Sequence, residues 1–570
     1  MHEFLSWFLV LAIILALAYL SYWGYTKNIS SDDLDSFLIA NRSLGVFIGA
    51  CTLTVTWVGG TLHGAAESVQ IQDEMGWLLA PVGNSLSLLV GGAILASKMR
   101  NSGYRCILDP FLWKYGVIMH CLLYIPVLVS EICWLTILLS SLGYAVKILL
   151  CISKEWAFLL AALFTSTTTL MGGMYFVAYG GALLFALIFG GLWFSIPFVL
   201  TDPHVESIFR NTSWIGDIKA REVPTYIDLL CLFIFGGIPW QEYWQCTLST
   251  RSGAIAKLAS YFGALGCLTL SIPSVMLGAA AFNADWNHSD YTSATLKQED
   301  QHNALPLVIY YFSPDMVSSI GVAAIAAGAT SSMNTTLLSC GGMFARNIIG
   351  LGYYKNYNKK LSQMWLILIM RASILGFSAL ACGLVFQLDS IYGLWLFNCD
   401  IIYTVLFPQL LCAMFIRDTN AYGSIVAFTM STIIRFLLGE PLLNIEAVIS
   451  TSWSEDSQTF QLPYRTSCMF LSLITLVGVS YLTDFLFRKR YISLRYDVYG
   501  CCMAEGKESI AVTLFGSKVP ELSIETKTAS FGERESTVDH MHDDYAEKQE
   551  NLSETSSIIT GFEKFHSTPV

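Results

Sequence analysis

About thirteen apolar stretches, each long enough to cross a bilayer, follow one another along most of this chain. They lie near residues 4–25, 46–70, 76–97, 118–150, 156–177, 181–200, 226–246, 255–283, 315–349, 364–386, 392–415, 420–438 and 465–487. Backbone in lipid must satisfy its own polar groups, so spanning segments are helices or closed barrels, and this length selects helices. The expected fold is an all-α integral membrane protein. Only 13% of the 570 residues are charged, well below the usual share in soluble domains. No nucleophile–base pair or metal-ligand spacing stands out and the spans dominate, which argues against an enzyme. Nothing points to nucleic acid; the lipid bilayer is the obligatory partner.

Charge sets the topology. Met1-His2-Glu3 has no basic run before the first apolar stretch, which is full length and reads as a retained span. Lys98, Arg100, Arg105 and Lys114 share one loop, and Arg251 and Lys257 another. Arg346, Lys355, Lys359 and Lys360 follow the ninth span, and Arg488-Lys489-Arg490 the last. On a thirteen-span path all these fall on one side, which is then cytoplasmic, with the N-terminus outside and the C-terminus inside. The sequons at Asn211 and Asn287 fall in outside loops and are candidate glycan acceptors.

Residues 1–490 read as one membrane domain and 491–570 as a cytoplasmic, acidic, disordered tail. Most of the 15 cysteines lie within spans, where they act as small apolar fillers. Cys501-Cys502, just past the last basic cluster, is a candidate site for palmitoylation. In the tail, Glu554 precedes the pair Ile558-Ile559 by four residues, a spacing that resembles adaptor-binding dileucine signals. An endocytic adaptor is therefore a candidate partner, although a chance pair in a flexible tail is the blander alternative.

Two helix breaks point to function. Thr52 to Gly60 combines threonines with Gly59-Gly60 mid-span, and Gly236-Gly237-Ile238-Pro239-Trp240 interrupts the seventh span. Such breaks expose carbonyls to a cation in secondary transporters, and their five-span separation points to an inverted repeat with a central site. Trp57 and Trp240 stand at the breaks and offer π faces to a cation that donates no hydrogen bonds.

Several motifs, in order and spacing, resemble the sodium:solute symporter family and, within it, the high-affinity choline transporters. They are Phe37 to Gly45, Thr56-Trp57-Val58-Gly59-Gly60, Leu108-Asp109-Pro110-Phe111, Gly236 to Gln241, Met343 to Ile348, Tyr392-Gly393-Leu394-Trp395, Phe407 to Cys412 and Gly439-Glu440-Pro441. The resemblance covers roughly residues 35–490. It implies thirteen helices with a five-plus-five inverted-repeat core, and sodium-coupled choline uptake across the plasma membrane. That uptake would supply acetylcholine synthesis in cholinergic terminals, at the presynaptic membrane and its vesicles. It also implies co-transported sodium, with chloride a further candidate, and no cofactor.

On the resemblance, Trp57, Trp240 and Trp395 form an aromatic cage for choline, with Trp134 a weaker candidate. Sodium falls to the carbonyls of Val55, Val58 and Gly328 and the hydroxyls of Ser331 and Ser332. Glu131 and Asp400 match acidic positions and read as gating or cavity residues. The chain also departs from the family. Gly180-Gly181 stand where family members carry Thr-Asp, and Cys246 replaces an arginine. Asn334 replaces an aspartate and Asn84 a tyrosine. Three departures remove a charge, which leaves sodium coupling open. The alternatives are a sodium-independent or altered-specificity organic-cation carrier, and a non-transporting sensor or scaffold.

Overall fold

The computed structural model describes residues 2–29, 33–72, 79–211, 220, 222–289, 291, 293, 295–387, 390–440, 445–449, 452–455, 458–497 and 499. The tail signals at Cys501-Cys502 and Ile558-Ile559 lie outside the described residues.

Helices dominate. In chain order they are α1 (His2–Ile29), α2 (Val46–Gln72), α3 (Leu79–Asn101), α4 (Asp109–Leu150) and α5 (Lys154–Leu200). There follow α6 (Val223–Gly236), α7 (Gln241–Leu248), α8 (Gly253–Phe282) and α9 (Asp315–Met343). The last four are α10 (Gln363–Leu384), α11 (Ile391–Phe415), α12 (Ala421–Leu437) and α13 (Tyr464–Arg488). Among the described residues, eleven helical segments are long and apolar enough to cross a membrane, and α12 is a shorter apolar helix. The all-α expectation has one small exception, an antiparallel hairpin of β1 (Ser452–Glu455) and β2 (Gln458–Gln461).

The 47-residue α5 is two helices joined at a reversal. Gly173 takes φ 55° and ψ −154°, a conformation open to glycine, and the chain turns back there. Contacts with α1 show the reversal. Ser21 donates to the Thr168 carbonyl and Asn28 to that of Gly172, while Gly180 lies back beside Leu17. The sequence reading put this boundary between residues 177 and 181. The turn is at Gly172-Gly173, and Gly180-Gly181 are helical.

The expected break in the second span is absent: α2 runs unbroken through Val58-Gly59-Gly60. Each glycine costs about 1 kcal/mol of intrinsic helix preference, less than the cost of freeing backbone groups in lipid. The glycines instead make room. A Cβ on Gly59 would collide with the Ser332 hydroxyl, one on Gly60 would come within 2.5 Å of the Trp134 ring, and one on Gly64 within 2.8 Å of Trp395. The second break is real. Pro239 has no N–H to donate and Trp240 is extended at φ −81° and ψ 134°, so α6 and α7 are separate helices.

Protein buries α2 and α9 over most of their length, whereas α1, α10 and α13 are largely uncovered by protein. The site is therefore built around α2 and α9. The basic loops gather on one face, where Lys98 and Lys114 donate to the Met414 and Ile416 carbonyls at the end of α11. Arg42 donates to the Gly103 carbonyl at 2.6 Å and Arg100 to that of Thr250 at 2.6 Å. The two sequon loops pair with each other, through Glu206 N to the Asn283 carbonyl and Asp285 N to the His204 carbonyl. Asn287 is exposed there, and Asn211 ends the short helix Ile208–Asn211.

Candidate functional site

Four tryptophans from four elements meet in the interior. Trp57 on α2 and Trp240 in the α6–α7 link have ring centroids 5.5 Å apart. Trp134 on α4 meets Trp240 edge-on at 4.8 Å and Trp395 on α11 at 6.4 Å. Thr61, Asn84, Gly237 and Cys399 complete the lining of a cavity of about 10 Å³, with no charged side chain among the described residues that line it. The sequence reading ranked Trp134 below the other three; here it is the ring that joins Trp240 to Trp395. Spacings of 4.8–5.5 Å are direct ring contact, so a guest needs the rings to part. The indole N–H groups of Trp57 and Trp240 are buried without an acceptor among the described residues, two donors available to a guest oxygen.

The proposed sodium ligands fall into two groups along α2 and α9. The Ser332 hydroxyl lies 2.9 Å from the Val55 carbonyl and 2.8 Å from that of Thr56, an oxygen triad between the helices. The Val58 carbonyl accepts from Thr61 at 3.0 Å, and the Gly328 carbonyl lies against Gly59. Ser331 faces another way. Its hydroxyl is buried, has no partner among the described residues and lies near Gly181 and Thr52. Asn334 accepts from the Thr168 and Thr169 hydroxyls at 3.3 and 3.0 Å and fastens α9 to α5. Cys246 lies 3.9 Å from the Thr56 hydroxyl, which in turn bonds Thr335 at 3.0 Å.

The two acids noted from sequence have different settings. Asp400 is buried in an ion cluster: Arg435 at 2.6 Å and Arg465 at 3.2 Å bind it, and Arg435 also pairs with Glu440 at 2.5 Å. Arg465 reaches Asp228 on α6 at 3.7 Å, so the cluster joins α6, α11, α12 and α13 beside the cage residue Cys399. Among the described residues no cation pairs with Glu131. It accepts from Cys340 at 3.5 Å, one turn along α9 from Thr336, which donates to Glu242, a residue the sequence reading passed over. Glu67, also missed, accepts from Ser390 and from the Tyr392 amide, which ties the end of α2 to the start of α11. An acid inside an apolar span was the available signal for both.

The segment Phe37 to Gly45 closes the basic face. Gln245 donates to the Leu38 carbonyl, Arg251 to that of Ser43 at 2.7 Å, and the Leu44 amide to that of Ser249 at 3.1 Å. Gln241 bonds Gln245 at 2.9 Å and accepts from Ile107 N, so α7 is pinned from both sides. Asp35 pairs with Arg105 at 2.5 Å; burial nevertheless pushes its carboxyl above the ordinary carboxylate range, with Arg105 opposing.

A helical core around a broken helix, with rings and oxygens at its centre, is the architecture of a secondary transporter. The sodium:solute symporter family model matches residues 37–430, and the chain belongs to that family. It is similar to the high affinity choline transporter 1 of Homo sapiens, 34% identical over 85% of each chain. The Drosophila melanogaster relative of that name is 36% identical over 86% of this chain and 80% of its own. The Caenorhabditis elegans relative is 35% identical over 84% and 85%. Among solved structures, the substrate-bound outward-open state of a Na+-coupled sialic acid symporter superposes with a TM-score of 0.68. It covers 84% of this chain and 98% of its own at 13% identity, a likeness of fold: the inverted-repeat transporter core.

Proposed function

We propose that this protein carries choline across the plasma membrane together with sodium, supplying acetylcholine synthesis in cholinergic terminals. The convergence of Trp57, Trp134, Trp240 and Trp395 on one uncharged cavity carries the reading. A quaternary ammonium hides its charge under methyl groups and offers no N–H, so aromatic faces suit it, each contributing about 0.5–2 kcal/mol. The unpaired indole N–H groups of Trp57 and Trp240 are donors to choline's hydroxyl oxygen. The names of the relatives support the same solute. Sodium is assigned to the oxygens of Val55, Val58, Gly328, Ser331 and Ser332, with Asp400 and Glu131 as gating acids. Thirteen crossings, the N-terminus outside and the basic face in the cytoplasm complete the reading, with Asn211 and Asn287 as glycan acceptors.

A second reading, choline carriage without sodium, has its own support. Ser332 is already bonded to α2 carbonyls, and Gly181 brings no acid to Ser331. The membrane potential alone contributes about 2.3 kcal/mol per charge per 100 mV, enough to accumulate a cation. Radiolabelled choline uptake, competed by tetramethylammonium and by the uncharged carbon isostere of choline, tests the cage. The quaternary ion should compete and the isostere should not. Equal competition by both would remove the cation–π reading.

A further inference from the structure

Two buried carboxyl groups lie on the side of the aromatic cage that faces the basic network. Glu131 lies three residues before Trp134 on α4 and Glu242 two residues after Trp240 on α7; they are 3% and 1% exposed. α4 runs away from the basic face and α7 toward it, so both acids sit between the cage and the network closing that face. Donors four residues apart on one face of α9, Thr336 and Cys340, reach one carboxyl each, so the two acids lie side by side. Two like charges buried together without a cation cannot both be ionised, so one carboxyl holds a proton.

Their hydrogen-bond partners are neutral. Thr336 donates to Glu242 Oε1 at 2.9 Å and Cys340 to Glu131 Oε2 at 3.5 Å, both from α9. The titratable groups facing the pair are Tyr124 on α4, Cys340 on α9 and Cys246 on α7. None is a cation, and among the described residues no arginine or lysine forms an ion pair with either acid. A separate observation marks the place as a binding site. Tyr124 is 5% exposed, lies two helical turns below Glu131 on the same face, and interacts with Glu131 and Cys340. Its hydroxyl has no hydrogen-bond partner among the described residues.

We propose that Glu131 and Glu242 form a proton-binding site in the floor of the cage. The pair holds one proton while the basic face is closed. When that face opens, water enters past the Tyr124 hydroxyl, the carboxyl O–H bond breaks, and the proton leaves to cytosolic water. The negative charge left behind draws the quaternary ammonium off the rings toward the exit. The draw on the solute rests on the choline reading; the proton does not.

Infrared difference spectroscopy on the purified full-length protein tests the proton. The wild type should show the carbonyl band of a buried protonated carboxyl. That band should vanish in both Glu242→Gln and Glu131→Gln, where the amide can donate to the remaining carboxylate, and persist in Glu242→Asp. Size-exclusion profiles matching the wild type establish that the variants are folded. A band unchanged in both Gln variants, or one abolished by adding sodium at fixed pH, would overturn the proposal. Choline uptake with the cytosol clamped at different pH and the outside fixed tests the consequence. Wild-type uptake should fall on cytosolic acidification, by up to about tenfold per pH unit, the limit for one proton. Glu242→Gln should flatten that profile, and an identical profile in variant and wild type would overturn the role in release. If choline proves not to be carried at all, the band remains and the proton site stands without the choline reading.

Discussion

At the scale of single residues, the cage and the oxygen triad make separable predictions. Trp57 and Trp240 each present a face that no other residue replaces, so Trp57→Ala or Trp240→Ala should weaken choline by at least about tenfold, or 1.4 kcal/mol. Uptake affinity measured at matched surface expression checks this; wild-type affinity in both variants contradicts the cage. Ser331→Ala and Ser332→Ala remove hard oxygen ligands and should raise the sodium concentration needed for half-maximal uptake, with choline contacts little changed. A sodium dependence identical to wild type in both variants contradicts the assigned ligands. The rings were legible in the sequence because tryptophan beside Gly or Pro at mid-span has few structural uses. Glu242 was not, since its meaning depends on Glu131, 111 positions earlier in the chain, and only folding brings the two together.

At the scale of elements, Gly59 and Gly60 show where sequence reasoning misleads. Two glycines in a span do weaken a helix, but here the space they leave is filled by Ser332 and Trp134, and the helix continues. Pro239 could be read correctly because its missing N–H breaks a helix whatever packs against it. It follows that Gly59→Ala should force α2 and α9 apart at the Ser332 triad. Uptake should be lost although the protein still reaches the surface. Wild-type uptake in that variant would contradict the close approach.

The segment Gln298–Asn303 makes a second element-scale prediction. It sets His302 5.2 Å from Tyr144, and burial lowers the ring's pKa from 6.5 to about 4, with Asp300 opposing and Lys154 reinforcing. The unfolded segment therefore binds more protons than the packed one between these values, so its packing is fully stable above 6.5 and weakens as pH falls toward 4. Hydrogen-exchange protection of residues 298–303, corrected for intrinsic rates, should fall across that window. Protection that stays level would contradict the buried, neutral ring.

At the scale of the whole molecule, the succession of apolar spans settled the helical membrane class, and the positions of the basic residues foretold the single face on which they gather. The reversal inside α5 was displaced by several residues, because apolar content is nearly continuous from Leu170 to Leu192 and only the positive φ of Gly173 marks the turn. The central claim is coupled carriage of choline by this core. Radiolabelled choline uptake in cells expressing the protein, with external sodium replaced by lithium, tests it most directly. Uptake should be saturable in sodium and collapse in lithium; uptake no greater than in untransfected cells, or uptake equal in the two salts, would contradict coupled carriage.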